Sequence, residues 1–492
     1  MPTTRTVLRS FYRRVWIIFL TARPSHCYQL TSPSNHSSRQ QQHQDNQNYE
    51  TTDSCAEKSA AAAERYLQPF SLGLVDFPTE DGSGAVRGVQ SLVDRPKPDG
   101  NSYGPVVFLE IPLEDTILSS GSIFQEQKED TDESWMTTMR HVTSDEEERL
   151  AIELLRRRKN NDPYVTNVFP RHHLSIWTLP QDLWNDMVTS KCLPRCYMES
   201  FRATRDRVRG VCQRLVDAQK GHVTISFSFE ECLWAFSMVR SRSVAVPELH
   251  PSRISTTTND LDDVSQVPLA IIPGLDLLNH QFASGTLLQL LEEVSGESTV
   301  DKATHKIWAL SSTKPIKSGD QVFLSYGDDK DNWKLLLTYG FAVPSNPNSM
   351  VFWTWQDLLE AANKVRPNIF QDRIVAQLMD HPQLRAYTTL SENRATFSFD
   401  AKGREPRESL SNGLRMLSDL VVQLGQPKDD RLSPDVLDEL IQSRLLALEV
   451  CQRELKRIHK SLCETNEWHA FVEQLCVAAK QEEHDLGQLS IS

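Results

Sequence analysis

The spacing of hydrophobic residues changes along the chain, and in the C-terminal part it is that of long helices. Apolar side chains recur there every three or four residues, which places them on one face of an α-helix. They are Leu437, Leu440, Ile441, Leu445, Leu448, Cys451, Leu455, Ile458 and Leu462. One continuous stripe of this kind predicts a helical bundle after Pro347.

The central part of the chain alternates short apolar runs with helical patterns. Residues 106–112 (VVFLEIP) and 321–326 (QVFLSY) are rich in β-branched and aromatic residues and predict strands. Residues 229–242 (FEECLWAFSMVRSR) predict a helix, and a second helix contains Leu150. The central part of the chain is therefore expected to contain both strands and helices.

Three polar tracts separate these elements. Residues 24–63 contain too little apolar surface to offset the entropy of chain ordering, and we interpret them as a linker. Residues 125–149 carry two acidic runs that we expect in solvent, with Ser144 or Asp145 capping the next helix. Residues 247–266 are rich in Ser, Thr and Asp, and they predict a surface loop.

Two motifs near the middle of the chain carry the functional signal. The first is residues 272–280 (IPGLDLLNH), and the second is residues 319–327 (GDQVFLSYG), followed by Asn332 and residues 337–341 (LTYGF). With the Ser-Arg that ends residues 229–242, they resemble in order and spacing the motifs of SET-domain protein methyltransferases of the Rubisco large-subunit methyltransferase-like branch.

The resemblance implies an α+β architecture in which short strands form a knotted cofactor pocket. It divides the chain into a targeting or disordered segment (1–65), a SET domain (66–346) and an all-α substrate-binding-like domain (347–492). A helical insertion is expected at about 145–228, where Leu150 and residues 162–170 match it. Residues 87–89 (RGV) resemble the turn that opens the SET fold, and residues 94–104 look like an enlarged loop beside it.

The activity implied by the resemblance is S-adenosyl-L-methionine-dependent methylation of lysine in a non-histone protein. Methyl transfer to an amine is an in-line displacement that depends on positioning. A lysine with a pKa of about 10.4 must also lose its proton, which a dry channel favours. Methylation of histidine and a catalytically silent SET-like scaffold remain alternatives, and the substrate protein and degree of methylation stay open.

The resemblance also assigns roles to individual residues. Tyr326 is expected to be the catalytic tyrosine that orients the amine, with Tyr339 and Phe341 lining the substrate channel. Arg242 suits the carboxylate of the cofactor because guanidinium offers two parallel donors. The expected cofactor-binding residues are Arg87, Gly88, Arg242, Asp276, Leu277, Leu278, Asn279, His280 and Tyr326.

Composition narrows the classes of partner. The formal charge of −13 disfavours nonspecific nucleic-acid binding and favours a protein substrate. From the resemblance, we expect the C-terminal helical domain to bind this substrate and the enzyme to be a monomer. Nine scattered cysteines argue against a disulfide framework. Cys192 and Cys196 lack a second ligand pair at zinc spacing, so we predict no metal site.

The N-terminus predicts the compartment. Before Asp45 the chain has no acidic residue and contains several arginines, a pattern typical of a plastid or mitochondrial transit sequence. Residues 15–20 (VWIIFL) are too few to span a bilayer, although they would suit the core of a secretory signal. If this segment is only a disordered tail, the protein is expected in the cytoplasm or nucleus.

Overall fold

The computed structural model describes residues 61–78, 85–95, 106–119, 145–171, 173–219, 226–249, 267–295, 303–327, 330–367, 396–400, 405–423, 429, 431–462 and 467–488. The predictions for residues 1–60 lie outside the described residues. A helical segment at 61–67 carries Ala63, which is buried in the core, so the predicted boundary at residue 65 falls inside this helix.

The strands of the described residues form four small sheets, with the orders β1-β2-β10-β7, β3-β9-β8, β4-β6-β5 and β11-β12-β13. The strands are β1 (Leu72–Pro78), β2 (Ala85–Ser91), β3 (Val106–Pro112), β4 (Ile117–Leu118), β5 (Val244–Ala245), β6 (Leu269–Ile271), β7 (Asn279–His280), β8 (Thr286–Ser295), β9 (Ala303–Ser312), β10 (Gln321–Leu324), β11 (Met350–Thr354), β12 (Thr396–Asp400) and β13 (Glu405–Pro406). The strand expected at 106–112 is present as β3, and the strand expected at 321–326 is present as the shorter β10.

The first sheet brings the two central motifs together. Strand β10 pairs antiparallel with β2, with Val322 opposite Val89. On its other side β10 pairs parallel with β7, with Leu324 opposite His280. The residues that follow β10 therefore lie beside the residues that surround β7.

After residue 145 the described residues form ten α-helices. They are α1 (Glu146–Lys159), α2 (Pro163–Asn167), α3 (Gln181–Thr189), α4 (Arg195–Ala218), α5 (Phe229–Arg242), α6 (Asn332–Tyr339), α7 (Trp355–Val365), α8 (Glu408–Gln423), α9 (Leu432–Ser461) and α10 (Glu467–Gly487). Helix α1 begins after Asp145, whose side chain accepts a hydrogen bond from the Glu148 main-chain N–H at 2.8 Å. A capping box between Ser228 and Glu231 starts α5. Helices α1 to α4 occupy the region expected for the insertion.

The C-terminal region is helical as expected in α7 to α10, but it is not all-α. Strands β11, β12 and β13 form an antiparallel sheet before α8. Strand β11 buries Val351 and Trp353. Its apolar run is too short to stand out in the sequence beside the long helical patterns. The predicted apolar stripe of α9 is confirmed, since Leu440, Leu448 and Leu455 are fully buried.

Buried polar contacts join the C-terminal helices to the central domain. Arg444 of α9 donates to the Glu482 carboxylate of α10 through Nε at 2.6 Å. The other oxygen of Glu482 accepts from the indole N–H of Trp333 in α6. Helix α6, which leads to the candidate site, is therefore fixed against α9 and α10. Among the described helices, none is long and apolar enough to cross a membrane.

Candidate functional site

A cleft of about 1050 Å³ lies between the central strands, α5 and the chain around α2. Its lining residues are Arg87, Arg158, residues 165–171, His173, Trp234, Ser241, Arg242, Asp276, Leu277, Asn279, Tyr326, Tyr339 and Phe341. Three other predicted site residues, Gly88, Leu278 and His280, support the lining through the contacts described below. The residues predicted from the two motifs are thus brought together at one site.

Tyr326 is held at the cleft by two hydrogen bonds to the first motif. Its hydroxyl donates to the Leu278 carbonyl at 2.7 Å, and its main-chain N–H donates to Nδ1 of His280 at 3.1 Å. Burial raises the pKa of Tyr326 to about 12, with Arg242 opposing the increase and Asp276 adding to it. The hydroxyl therefore keeps its proton at neutral pH.

Aromatic rings surround Tyr326. The ring centroid of Tyr339 lies 4.6 Å away, that of His280 5.2 Å and that of Phe341 6.3 Å. Helix α6 ends at Tyr339, and Gly340 turns the chain with φ +81°, a conformation that favours glycine. A Cβ atom on Gly340 would lie only 2.5 Å from the Leu174 carbonyl oxygen. This turn brings Tyr339 and Phe341 to the same side of the site.

Arg242, Asp276 and Tyr164 form a buried polar network beside this cluster. Nη1 of Arg242 donates to the main-chain carbonyl of Asp276 at 2.9 Å and lies 3.2 Å from its carboxylate. The other carboxylate oxygen accepts from the Tyr164 hydroxyl, which in turn accepts from the Gly274 N–H at 2.9 Å. Burial raises the pKa of Asp276, although the Arg242 charge opposes this.

The network changes the interpretation of both predicted residues. Asp276 was expected among the cofactor-binding residues, and its carboxylate holds the side chains of Arg242 and Tyr164. Arg242 was expected to face the cofactor carboxylate, and one of its terminal nitrogens is already engaged by Asp276. Its buried Nε has no hydrogen-bond partner among the described residues.

Residues 87–89 lie inside strand β2, which corrects the expectation of a turn. The Asn279 side-chain amide donates to the Arg87 carbonyl at 2.9 Å, joining the first motif to β2. A Cβ atom on Gly88 would lie 2.7 Å from Nδ2 of Asn279 and 2.3 Å from Nε2 of Gln321. A side chain at position 88 would therefore have to displace the Gln321 and Asn279 amides.

Asn332, at the start of α6, has a structural role. Its amide donates to the Val343 carbonyl at 3.0 Å, and its side-chain oxygen accepts from the Val343 N–H at 2.9 Å. Asn346 donates to the same oxygen at 2.9 Å. These contacts fix the segment that follows Phe341.

The insertion contributes lining residues that sequence reasoning missed. Besides residues 165–171, they include Arg158, whose guanidinium lies 4.1 Å above the Trp234 ring, and His173. Burial, assisted by the Arg242 charge, lowers the pKa of His173 to about 4, so its ring is neutral. Its Nδ1 has no hydrogen-bond partner within the described part of the chain. The only signal in the sequence was the match of residues 162–170 to the insertion, which suggested a helix rather than a lining segment.

Relatives of known name match part of the chain, while no protein-family model matches it. Over 218 residues it is 24% identical to SET domain-containing protein 4 of Artemia parthenogenetica, covering 44% of this chain and 49% of the relative. Over 184 residues it is 24% identical to the chloroplastic Rubisco large subunit N-methyltransferase of Pisum sativum, covering 36% and 33%. A third relative is the chloroplastic fructose-bisphosphate aldolase-lysine N-methyltransferase of Arabidopsis thaliana, 28% identical over 135 residues that cover 27% of this chain and 24% of the relative. The chain thus matches half or less of the length of these relatives.

Solved structures extend the similarity over most of the chain. The SET domain of LSMT bound to lysine and AdoHcy superposes with a TM-score of 0.50 at 15% identity, covering 88% of this chain and 92% of that one. The same domain bound to methyllysine and AdoHcy gives a TM-score of 0.50 at 16% identity and the same coverage. At this identity the likeness concerns the fold, and it agrees with the α+β class predicted from the sequence. The chain therefore has the fold of the SET domain of LSMT.

Proposed function

We propose that this protein is an S-adenosyl-L-methionine-dependent protein-lysine N-methyltransferase. The observation that carries the proposal is the position of the Tyr326 hydroxyl in an aromatic-lined cleft, bonded to the motif that contains Asn279 and His280. The named relatives include an N-methyltransferase of the Rubisco large subunit and a lysine N-methyltransferase of aldolase, and this supports the proposal.

The cleft residues suit the chemical groups of the proposed cofactor. Bound S-adenosylmethionine would supply an electrophilic methyl group on a positively charged sulfur. The faces of Tyr326, Tyr339 and Phe341 favour such a cation by cation–π attraction. Arginines suit its carboxylate, and the unpaired Nε of Arg242 is a donor that a ligand would satisfy.

The remaining cofactor-binding residues that we propose are Arg87, Gly88, Asp276, Leu277, Leu278, Asn279 and His280. Of these, Arg87, Asp276, Leu277 and Asn279 line the cleft directly. Gly88, Leu278 and His280 act by holding Asn279 and Tyr326 in place, as their contacts indicate.

Tyr326 acts on the substrate amine by position rather than by proton transfer. With a pKa of about 12 its hydroxyl stays protonated, donates to Leu278, and keeps a lone pair free to accept from the amine. Tyr339 and Phe341 contribute an apolar surface that favours a neutral lysine, because burial disfavours the ammonium form. Only the neutral amine has the lone pair that attacks the methyl group.

We further propose that the substrate is a non-histone protein docked by the C-terminal region from 347 to 492, and that the enzyme acts as a monomer in a plastid or mitochondrion. The SET domain at 66–346, with its insertion at about 145–228, would carry the chemistry. The acidic net charge of −13 supports a protein substrate over nucleic acid, and two of the named relatives are chloroplastic. A fusion of residues 1–63 to a fluorescent reporter tests the compartment.

The test of the activity combines binding and transfer. Calorimetry of the full chain with S-adenosylmethionine is expected to show saturable binding by both the wild type and Tyr326→Phe. Tritium-labelled cofactor with organelle and cytosolic extracts is expected to label a protein at lysine only with the wild type, with mass spectrometry identifying the residue. If the folded wild type does not bind the cofactor, the proposed methyltransferase activity is excluded.

The same experiment separates the alternatives. Label on histidine would identify a protein-histidine methyltransferase. Saturable binding with no labelled protein in either extract would favour the scaffold.

A further inference from the structure

The C-terminal helix pair carries a cluster of metal-ligating side chains outside the cleft. His459 lies in the last turn of α9, and His469 and Glu473 lie one turn apart near the start of α10. One potential ligand atom from each of the three side chains lies within 4.8 Å of the others. We propose that His459, His469 and Glu473 form a binding site for one transition-metal ion of the Zn²⁺ class that joins α9 to α10.

The positions of the three residues on α9 and α10 bring their side chains close together. His469 and Glu473 are four residues apart in a helix, so their side chains lie on the same face. That face meets α9, because Val472 of α10 and Ile458 of α9 are both fully buried in the common core. The imidazole rings of His459 and His469 have their centroids 3.6 Å apart.

An unpaired atom within the cluster points to a ligand. Nε2 of His459 is buried and has no hydrogen-bond partner among the residues that the structure describes. Proteins rarely leave such an atom unpaired, because its lost hydration is not compensated. A bound cation would accept its lone pair, and the exposed carboxylate of Glu473 would add negative charge to the site.

The donor set selects the class of ion. Two imidazoles and one carboxylate suit Zn²⁺ and its neighbours, whereas Mg²⁺ and Ca²⁺ prefer oxygen ligands. In a tetrahedral zinc site the ligand atoms lie about 3.4 Å apart, since each bond is about 2.0–2.1 Å long. The ligand atoms lie within 4.8 Å of one another, so the side chains would rotate inward on binding the ion. Three protein ligands leave the fourth position for water.

Titration of the metal-stripped full chain with ZnCl₂ tests the site. We expect one equivalent to bind, a rise in the thermal midpoint, and a d–d absorption band of tetrahedral geometry when Co²⁺ replaces Zn²⁺. His469→Ala and Glu473→Gln are each expected to weaken binding more than about tenfold, given the sensitivity of metal sites to their ligands. His484→Ala is the matched control, because His484 is an exposed histidine of the same helix outside the cluster.

Circular dichroism establishes that each variant is folded, and Glu473→Gln changes an exposed side chain. Either of two results would overturn the proposal. One is the absence of saturable Zn²⁺ binding by the folded wild type, and the other is binding that His469→Ala and Glu473→Gln leave unchanged. The site does not depend on the proposed activity, and the two are tested by separate measurements.

Discussion

The hydroxyl of Tyr326 donates a hydrogen bond to the main-chain carbonyl of Leu278 at 2.7 Å, across 48 residues of sequence. Parallel pairing of β10 with β7 makes this contact, since it sets Leu324 opposite His280. The bond fixes the direction of the hydroxyl proton and leaves a lone pair of the oxygen toward the cleft. It is a direct polar link between the two motifs.

Replacing Tyr326 by phenylalanine is expected to reduce methyl transfer by about 100-fold or more, because a preorganised polar group at the reacting centre is lost. Cofactor affinity should change little. The measurement is the initial rate of label transfer beside calorimetric binding of the cofactor.

Tyr197→Phe provides the matched control for this change. Tyr197 is also buried, and its hydroxyl donates to the Met350 carbonyl at 3.4 Å, away from the cleft. Its loss is expected to cost about 1 kcal/mol of unfolding free energy and to leave the rate unchanged. Equal rates for wild type and Tyr326→Phe would contradict the role of Tyr326.

Gly88→Ala is expected to weaken cofactor binding on the order of tenfold. The new methyl group would displace the Asn279 amide from the Arg87 carbonyl, and one lost hydrogen bond of about 1.4 kcal/mol corresponds to that factor. Gly210→Ala is the control, since a Cβ atom there meets nothing within 4 Å. In the interior of α4 it should raise the unfolding free energy by about 1 kcal/mol and leave binding intact. Unchanged affinity in Gly88→Ala would disprove the importance of this contact.

Arg444→Met is expected to lower the unfolding free energy by about 3–5 kcal/mol, because it leaves the buried Glu482 carboxylate without its cation. The double variant with Glu482→Leu should recover a large part of this loss, since it removes the unpaired charge as well. Urea denaturation of the two single variants and the double variant measures the coupling. Strictly additive effects would show that the two side chains act independently.

Asp331→Asn tests a pH dependence built into the start of α6. Burial raises the pKa of Asp331 from 3.8 to about 6, with Lys334 opposing the increase and Glu482 adding to it. The folded state thus binds this proton more tightly than the unfolded state, so this group lowers the unfolding free energy as the pH rises from about 4 to about 6.

Asparagine caps a helix as well as aspartate but does not titrate. The stability of Asp331→Asn relative to wild type should therefore increase between about pH 4 and pH 7, by up to about 3 kcal/mol. Urea denaturation of both proteins at the two pH values gives the difference in unfolding free energy between variant and wild type. The contributions of the other titrating groups are the same in both proteins and cancel in this difference. A difference that is the same at both would contradict the raised pKa.

Local signals in the sequence were sufficient for some of the elements around the site. The residue patterns predicted α5 and α9, and Asp145 was among the two candidates for the cap of α1. Apolar runs predicted β3 and β10. Beside these long patterns, the five-residue strand β11 had too few residues to be distinguished from its helical neighbours.

The sequence by itself determined the periodicity, the helix caps and the order of the two motifs, because each depends on residues a few positions apart. Tertiary structure alone decided that Tyr164 holds Asp276 from 112 residues away, and that the insertion lines the cleft with His173. It also brought His459 against His469 through the packing of α9 on α10. Such contacts depend on the register of strands and the packing of helices over the whole chain, which no local pattern specifies.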